Sequence, residues 1–233
     1  ELRLLGTYSH EYFHSWNVKR IRPKSLEPFN FEHANMSSEL WFAEGFTQYY
    51  GEMVLVRSGF HTVDEYTRTI AGLVNQIVNT PGAAKYSAAH MSRYSVFADA
   101  GVSIDPNNQP NIFTSYYTYG GAIALALDLR LRSEFNLTLD DYMRTVWLNR
   151  GKVMKPYTIP DLQSDLAKVT NNPKFAADFF NKYINGIEKC NYEALLAKAG
   201  LLLRKSAPGK AWAGSRPFGR CTYRRRGRFA GTS

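Results

Sequence analysis

The chain has 233 residues, 44% of them apolar and 14% aromatic, which is enough for a sizeable hydrophobic core, and it has no apolar run long enough to span a bilayer. The net charge of +9 sits at one end: Arg204 to Ser233 holds nine Lys and Arg and no acid, so residues 1–203 carry 20 basic and 20 acidic side chains and are neutral. A nucleic-acid reading therefore applies only to that last stretch, where "RRRGR" (Arg224 to Arg228) lies among Gly, Ser, Pro and Thr in a composition that does not pack, and no nucleic-acid partner is expected. Two cysteines, Cys190 and Cys221, supply neither a disulfide framework nor a CxxC pair.

The opening stretch "ELRLLGTYSHEYFHSW" places apolar residues at Leu2, Leu5, Tyr8, Tyr12, Phe13 and Trp16. That spacing is nearer 3.6 than 2 and predicts a helix that stops before Pro23. A Pro/Asn/Glu-rich loop, "RPKSLEPFNFEHANM", follows. "SSELWFAEGFTQYYGEMVLVRSG" then predicts a second long helix, capped by Ser37 or Ser38 and closed by Gly59. A third helix enters through Thr62, with Glu65 at the capping-box position, and ends at Pro81-Gly82. A polar segment leads to a loop, "DPNNQPN" (Asp105 to Asn111), and then to the apolar helix of "YYTYGGAIALALDLRLRSEF". The stretches "TLDDYMRTVWLNRG", "TIPDLQSDLAKVT" and "NPKFAADFFNKYING" are each opened by Thr or Asn. Alternating strands are nearly absent and nothing repeats at a fixed period, so the predicted fold class is mainly α. The apolar run near Leu201 reads as the start of a strand or of a new domain.

Within the first helix His10, Glu11 and His14 spell HExxH. Positions four apart on a helix lie about 40° apart in projection, so the two imidazoles converge on one point. Two imidazoles and a carboxylate with one open position suit Zn2+. Glu11, projecting beside His10, is left to accept a proton from a metal-bound water. HExxH alone fixes three positions and fits two structural histidines equally well, so the reading turns on a third ligand. Glu44 follows Trp41 and Phe42 in the apolar second helix, which points its carboxylate inward, where an unpaired charge costs several kcal/mol. A cation shared with His10 and His14 relieves that cost. His33, His61 and His90 lack metal spacing and read as structural. Lys19, Arg20 and Arg22 beyond the HExxH helix fit either a substrate carboxylate or a solvated basic turn.

HExxH followed by "WFAEGFT" on a separate helix resembles the gluzincin metallopeptidases, in which the second motif is similar to the "NEGFA" element of the aminopeptidase N family. The fuller strings "HEYFHSWNVKRIRP", "ELWFAEGFTQYY" and "SYYTYGGAIALALDLRLR" resemble the bacterial glycyl aminopeptidase family more closely, and the likeness runs to about residue 210. The resemblance implies that residues 1–203 are the helical part of a thermolysin-like (zincin) catalytic domain, with the N-terminal β-rich lobe missing. It implies that residues 204–233 are a basic, disordered tail left from the start of a PDZ domain.

It further implies one zinc ion on His10, His14 and Glu44, Glu11 as general base, and peptide substrates losing small N-terminal residues such as Gly or Ala. A tyrosine before a Y-x-K-G element stabilises the transition state in related aminopeptidases, and Tyr117 holds that place. Tyr119 stands where the related pattern has Lys, so Tyr116 and Tyr119 stay open for the role. No motif picks out the residues that bind the substrate's ammonium group. The expected compartment is the bacterial cytoplasm or periplasm. The alternative is a catalytically silent helical fragment that binds metal or a partner without turnover.

Overall fold

The computed structural model describes residues 2–99, 101 and 105–205. The "RRRGR" segment, with the disorder expected of it, and most of the expected PDZ-like start lie outside the described residues. Helix α1 (Leu2–Phe13) crosses α3 (Gly45–Arg57), which in turn packs on α8 (Tyr116–Arg130). Between them a four-residue helix, α2 (Leu40–Ala43), drives Trp41 and Phe42 into the core, both essentially without exposure. Their rings form edge-to-face and tilted contacts with Phe46, Tyr142 and Tyr157, so the floor of α2 and α3 is an aromatic cluster.

Helix α4 (Val63–Asn79) covers the other side of α8 and opens with the expected capping box of Thr62 and Glu65. The helix ends at Asn79, with Thr80 extended ahead of Pro81, as the sequence predicts. Pro81 also stands at the first position of a short helix α5 (Pro81–Lys85), where its missing N–H costs nothing. The polar segment beyond it contains a full helix, α6 (Ala88–Ala98), capped by Ser87, whose hydroxyl accepts from the His90 amide. The expected loop at 105–111 also holds one helical turn, α7 (Gln109–Ile112).

The later elements follow the cap residues of the sequence. Thr138 and Thr158 form capping boxes with Asp141 and Asp161 at the starts of α9 (Leu139–Val146) and α10 (Ile159–Thr170). Asn172 and Asn191 cap α11 (Pro173–Phe179) and α12 (Tyr192–Lys198). The fold is mainly α, and among the described residues the one β-type contact is an isolated parallel bridge between Pro23 and Tyr157. Two hydrogen bonds accompany it, Lys24 N to Tyr157 O at 2.7 Å and Tyr157 N to Arg22 O at 2.8 Å. They tie the exit of the HExxH segment to the C-terminal helices. Leu201 to Lys205 form no strand. Among the described residues no helix is long and apolar enough to cross a membrane.

The expected second long helix is broken. Ser37 and Ser38 do not cap it: Glu39 takes the cap position without a side-chain cap bond, and the Ser37 hydroxyl instead donates to the Glu39 carboxylate at 2.9 Å. At Glu44 the helix stops and restarts as α3. The break sits at a close crossing. A Cβ on Gly45 would lie 2.3 Å from the Gly120 Cα, and one on Gly120 would lie 1.8 Å from the Trp41 carbonyl oxygen. Only glycine lets the α2–α3 junction and α8 meet backbone to backbone.

Candidate metal centre

Regular α1 geometry ends at Phe13, one residue before the second histidine of HExxH. The His14 amide still bonds the His10 carbonyl at 3.2 Å, so the i, i+4 relation of the two rings survives into the following turn. Their Nε2 atoms approach to 3.0 Å with the rings edge to face. Glu44, projected from the α2–α3 break, brings Oε2 to 3.2 Å from each Nε2. Among the described residues this is the group of His, Cys, Asp and Glu side chains assembled closely enough to hold a metal ion.

These separations suit a small tetrahedral cation. Bonds of about 2.0–2.1 Å to zinc place ligand atoms about 3.3–3.4 Å apart, within a few tenths of an ångström of the three edges here. The donor chemistry agrees. The His14 Nδ1 lies 2.7 Å from the Asn17 carbonyl, which can only accept, so the neutral ring keeps its proton there and turns the bare Nε2 toward Glu44. His10 is buried, and its Nδ1 has no protein partner, a cost that fixing its Nε2 on an ion would help to offset.

Electrostatics around the cluster run the same way. Burial works to raise the Glu44 pKa, but hydrogen bonds from His10 and His14 and their positive field outweigh it and hold the carboxyl at about 2. Burial works to lower that of His14, yet the Glu44 hydrogen bond, the Asn17 carbonyl and the negative charges of Glu44 and Glu11 raise it above its ordinary value. The site thus attracts positive charge, and the chain brings no lysine or arginine to Glu44 among its described ion pairs.

A cleft of about 340 Å³ opens beside the cluster. Glu11 and His10 line it from α1 with Gly6 and Thr7, Gln48 and Glu52 line it from α3, and Tyr117 lines it from the start of α8. The Tyr117 ring lies 5.8 Å from that of His10. Burial, and then the Glu44 charge, push its phenol up to about 12. The other two tyrosines are engaged elsewhere: Tyr116 donates to Asp99 at 3.1 Å, while Tyr119 is buried, donates to the Tyr86 carbonyl at 3.3 Å and accepts from Lys189 at 2.5 Å.

Lys19, Arg20 and Arg22 are not among the cleft residues. Arg22 pairs with Glu27 at 2.6 Å and Arg20 reaches the Met154 sulfur. His90 stacks on Tyr86, and His61 reaches the cleft residue Glu52 at 3.5 Å; neither belongs to the ligand cluster. A further depression of about 280 Å³ beside Cys190 is remote from the chemistry, and its Arg130 and Glu134 are paired to each other at 2.8 Å.

Sequence reasoning missed Gln48, Glu52 and Asn17. The first two stand four and eight residues after Glu44 and so share its helix face, a signal the spacing contained. Asn17 carried a weaker one, an amide at a position that proves wholly buried.

Residues 3–123, a span that includes His10, Glu11, His14, Glu44 and Tyr117, match the family model described as M61 glycyl aminopeptidase. No curated protein matches the chain. The chain is similar to a crystal structure of an aminopeptidase N family protein from Idiomarina loihiensis, at 29% identity and a TM-score of 0.79 over 89% of this chain. It spans 35% of the length of that protein.

Proposed function

The chain belongs to the M61 glycyl aminopeptidase family, and from that membership we propose that it hydrolyses peptide bonds with one zinc ion held by His10, His14 and Glu44. The substrates are peptides with a free amino terminus bearing a small residue such as Gly or Ala. The observation that carries the reading is the three-way approach of two Nε2 atoms and one carboxylate oxygen within 3.2 Å, beside a cleft that also holds Glu11 and Tyr117.

The bound ion would supply Lewis-acid polarisation of the scissile carbonyl and a water of lowered pKa. Glu11, exposed on the cleft next to His10, takes the proton of the attacking water and returns it to the departing amine. The Tyr117 phenol, with its pKa raised to about 12, stays protonated at neutral pH and donates a hydrogen bond to the developing oxyanion, a role worth roughly 3–4 kcal/mol where such donors have been removed. The cleft lining includes the carboxylates of Glu11 and Glu52 and no lysine or arginine, an electrostatic surround that favours a substrate ammonium.

A second reading is metal binding without turnover, in which His10, His14 and Glu44 hold an ion and Glu11 takes no part in chemistry. Zinc content and hydrolysis of Gly- and Ala-aminoacyl reporters separate the two. One zinc per chain, with activity that Glu11→Gln abolishes, supports the enzyme. One zinc per chain, without activity and without an effect of Glu11→Gln, establishes the silent form.

A further inference from the structure

We propose that Asn17 is the positioning residue of the metal centre, clamping the two separate pieces of chain that deliver His14 and Glu44; the proposal rests on the zinc reading above. Asn17 is fully buried. Its side-chain amide donates to the Phe42 carbonyl at 3.1 Å, the Ala43 carbonyl at 3.3 Å and the Thr47 hydroxyl at 3.2 Å. Its backbone carbonyl accepts from His14 Nδ1 at 2.7 Å and from the Thr47 hydroxyl at 3.1 Å. The Thr47 hydroxyl also lies 2.7 Å from the Ala43 carbonyl, so it closes the network.

The orientation of this amide is forced, because two of its partners are backbone carbonyls that can only accept. Both carbonyls belong to the residues immediately before Glu44. A helix end leaves carbonyls without intrahelical donors, and Asn17 supplies them where α2 breaks. The same residue fixes the tautomer of His14 through its own carbonyl. A single buried residue thus sets the His14 ring and the Glu44 backbone in one frame, although the two ligands come from different helices. Its Oδ1 is buried without a partner. Retaining an amide that leaves an acceptor unsatisfied is costly for packing alone and is explained by the donors it aims at the junction.

The test uses the full 233-residue chain. In Asn17→Ala, zinc affinity measured by chelator competition is expected to fall about 10- to 100-fold, and the visible d–d bands of the cobalt-substituted protein are expected to shift. Alanine keeps the backbone carbonyl that meets His14 Nδ1, so the 15N signature of a ring protonated at Nδ1 should persist in the metal-free variant and reports that the His14 arm of the site is still folded. Thr47→Val should weaken zinc less, and Thr47→Ser, which restores the hydroxyl, should recover wild-type affinity. Asn149→Ala serves as the control for stability, since that amide bonds Asp165 at 2.8 Å and its loss should leave zinc affinity and the cobalt spectrum unmoved.

A folded Asn17→Ala with wild-type zinc affinity and a wild-type cobalt spectrum overturns the proposal. If that variant does not fold, the Thr47 pair decides it, and wild-type affinity in Thr47→Val overturns it. A wild-type chain that binds no zinc defeats the proposed function instead, and the clamp is then read in the metal-free protein, where amide hydrogen exchange at residues 43–48 should speed up in Asn17→Ala and unchanged exchange there overturns it.

Discussion

Asp165 and Glu44 each carry a carboxylate into the helical body, and the chain neutralises them differently. Asp165 is fully buried on α10 and meets the Arg150 guanidinium at 3.1 Å and the Asn149 amide at 2.8 Å, with Lys168 at 3.6 Å on the rim. Arg150 is itself buried and binds Asp161 at 3.0 Å as well. Glu44, four-fifths buried, meets two imidazoles whose Nε2 atoms crowd to 3.0 Å. One carboxylate comes with its cation built in. The other is surrounded by groups that are good metal ligands and weak counter-ions, which marks the difference between a structural ion pair and a site built to receive a cation from outside.

The sharpest way to break that comparison is to remove the built-in cation. Arg150→Met leaves Asp165 buried and unpaired and is expected to cost about 3–5 kcal/mol in denaturant unfolding, with zinc content unchanged. Glu44→Gln should do the reverse, abolishing zinc retention by metal analysis while costing the metal-free chain less than Arg150→Met does. The external cation should then appear as a stability linkage confined to its own end of the molecule. Free zinc at a hundred times its dissociation constant should raise unfolding stability by about 2.7 kcal/mol, and a chelator should reverse the gain. That increment should vanish in Glu44→Gln and persist in Arg150→Met.

Smaller effects sharpen the picture. Gly120→Ala places a methyl group against the Trp41 carbonyl and is expected to cost about 1–3 kcal/mol in thermal or denaturant unfolding, with zinc affinity also reduced because Glu44 lies at the same crossing. At the other end, Thr158→Ala removes the cap of α10 and should cost about 1 kcal/mol at neutral pH. Burial works to raise the Asp161 pKa, but the Thr158 hydroxyl and amide, then Arg150 and Lys155, hold it below the ordinary 3.8. A carboxyl depressed in the folded state stabilises above its unfolded pKa and loses that contribution as pH falls through the folded value. The difference between wild type and Thr158→Ala should therefore be full at neutral pH and shrink on acidification below about 3.8, as followed by unfolding curves at successive pH values.

What could be read from the sequence was local. The capping boxes at Thr62, Thr138 and Thr158 open their helices because hydroxyl and carboxylate sit three residues apart, and no distant contact overrides them. The approach of His10 and His14 follows from a four-residue spacing, and the inward placement of Glu44 from its apolar neighbours. The break at Glu44 was not legible. It lies where Gly45 meets Gly120, seventy-five positions later, and nothing in either short motif names the other. Helix α6 was overlooked because its run from Ala88 to Ala98 mixes small, polar and aromatic residues without a clear apolar stripe, so its Ser87 cap was the one local cue. Asn17 escaped for a related reason: its partners are mostly backbone carbonyls, which every residue possesses and no composition reveals.

The touching glycines also fix the spacing of the walls around the site. With Gly45 against Gly120, the backbone that carries the Glu44 carboxylate lies directly on the helix that carries the Tyr117 phenol three residues earlier. Gly51 plays the same part on the other side, where its missing side chain leaves the His10 backbone room to lie close by, so glycines at both crossings set how near the histidine-bearing and glutamate-bearing segments can stand.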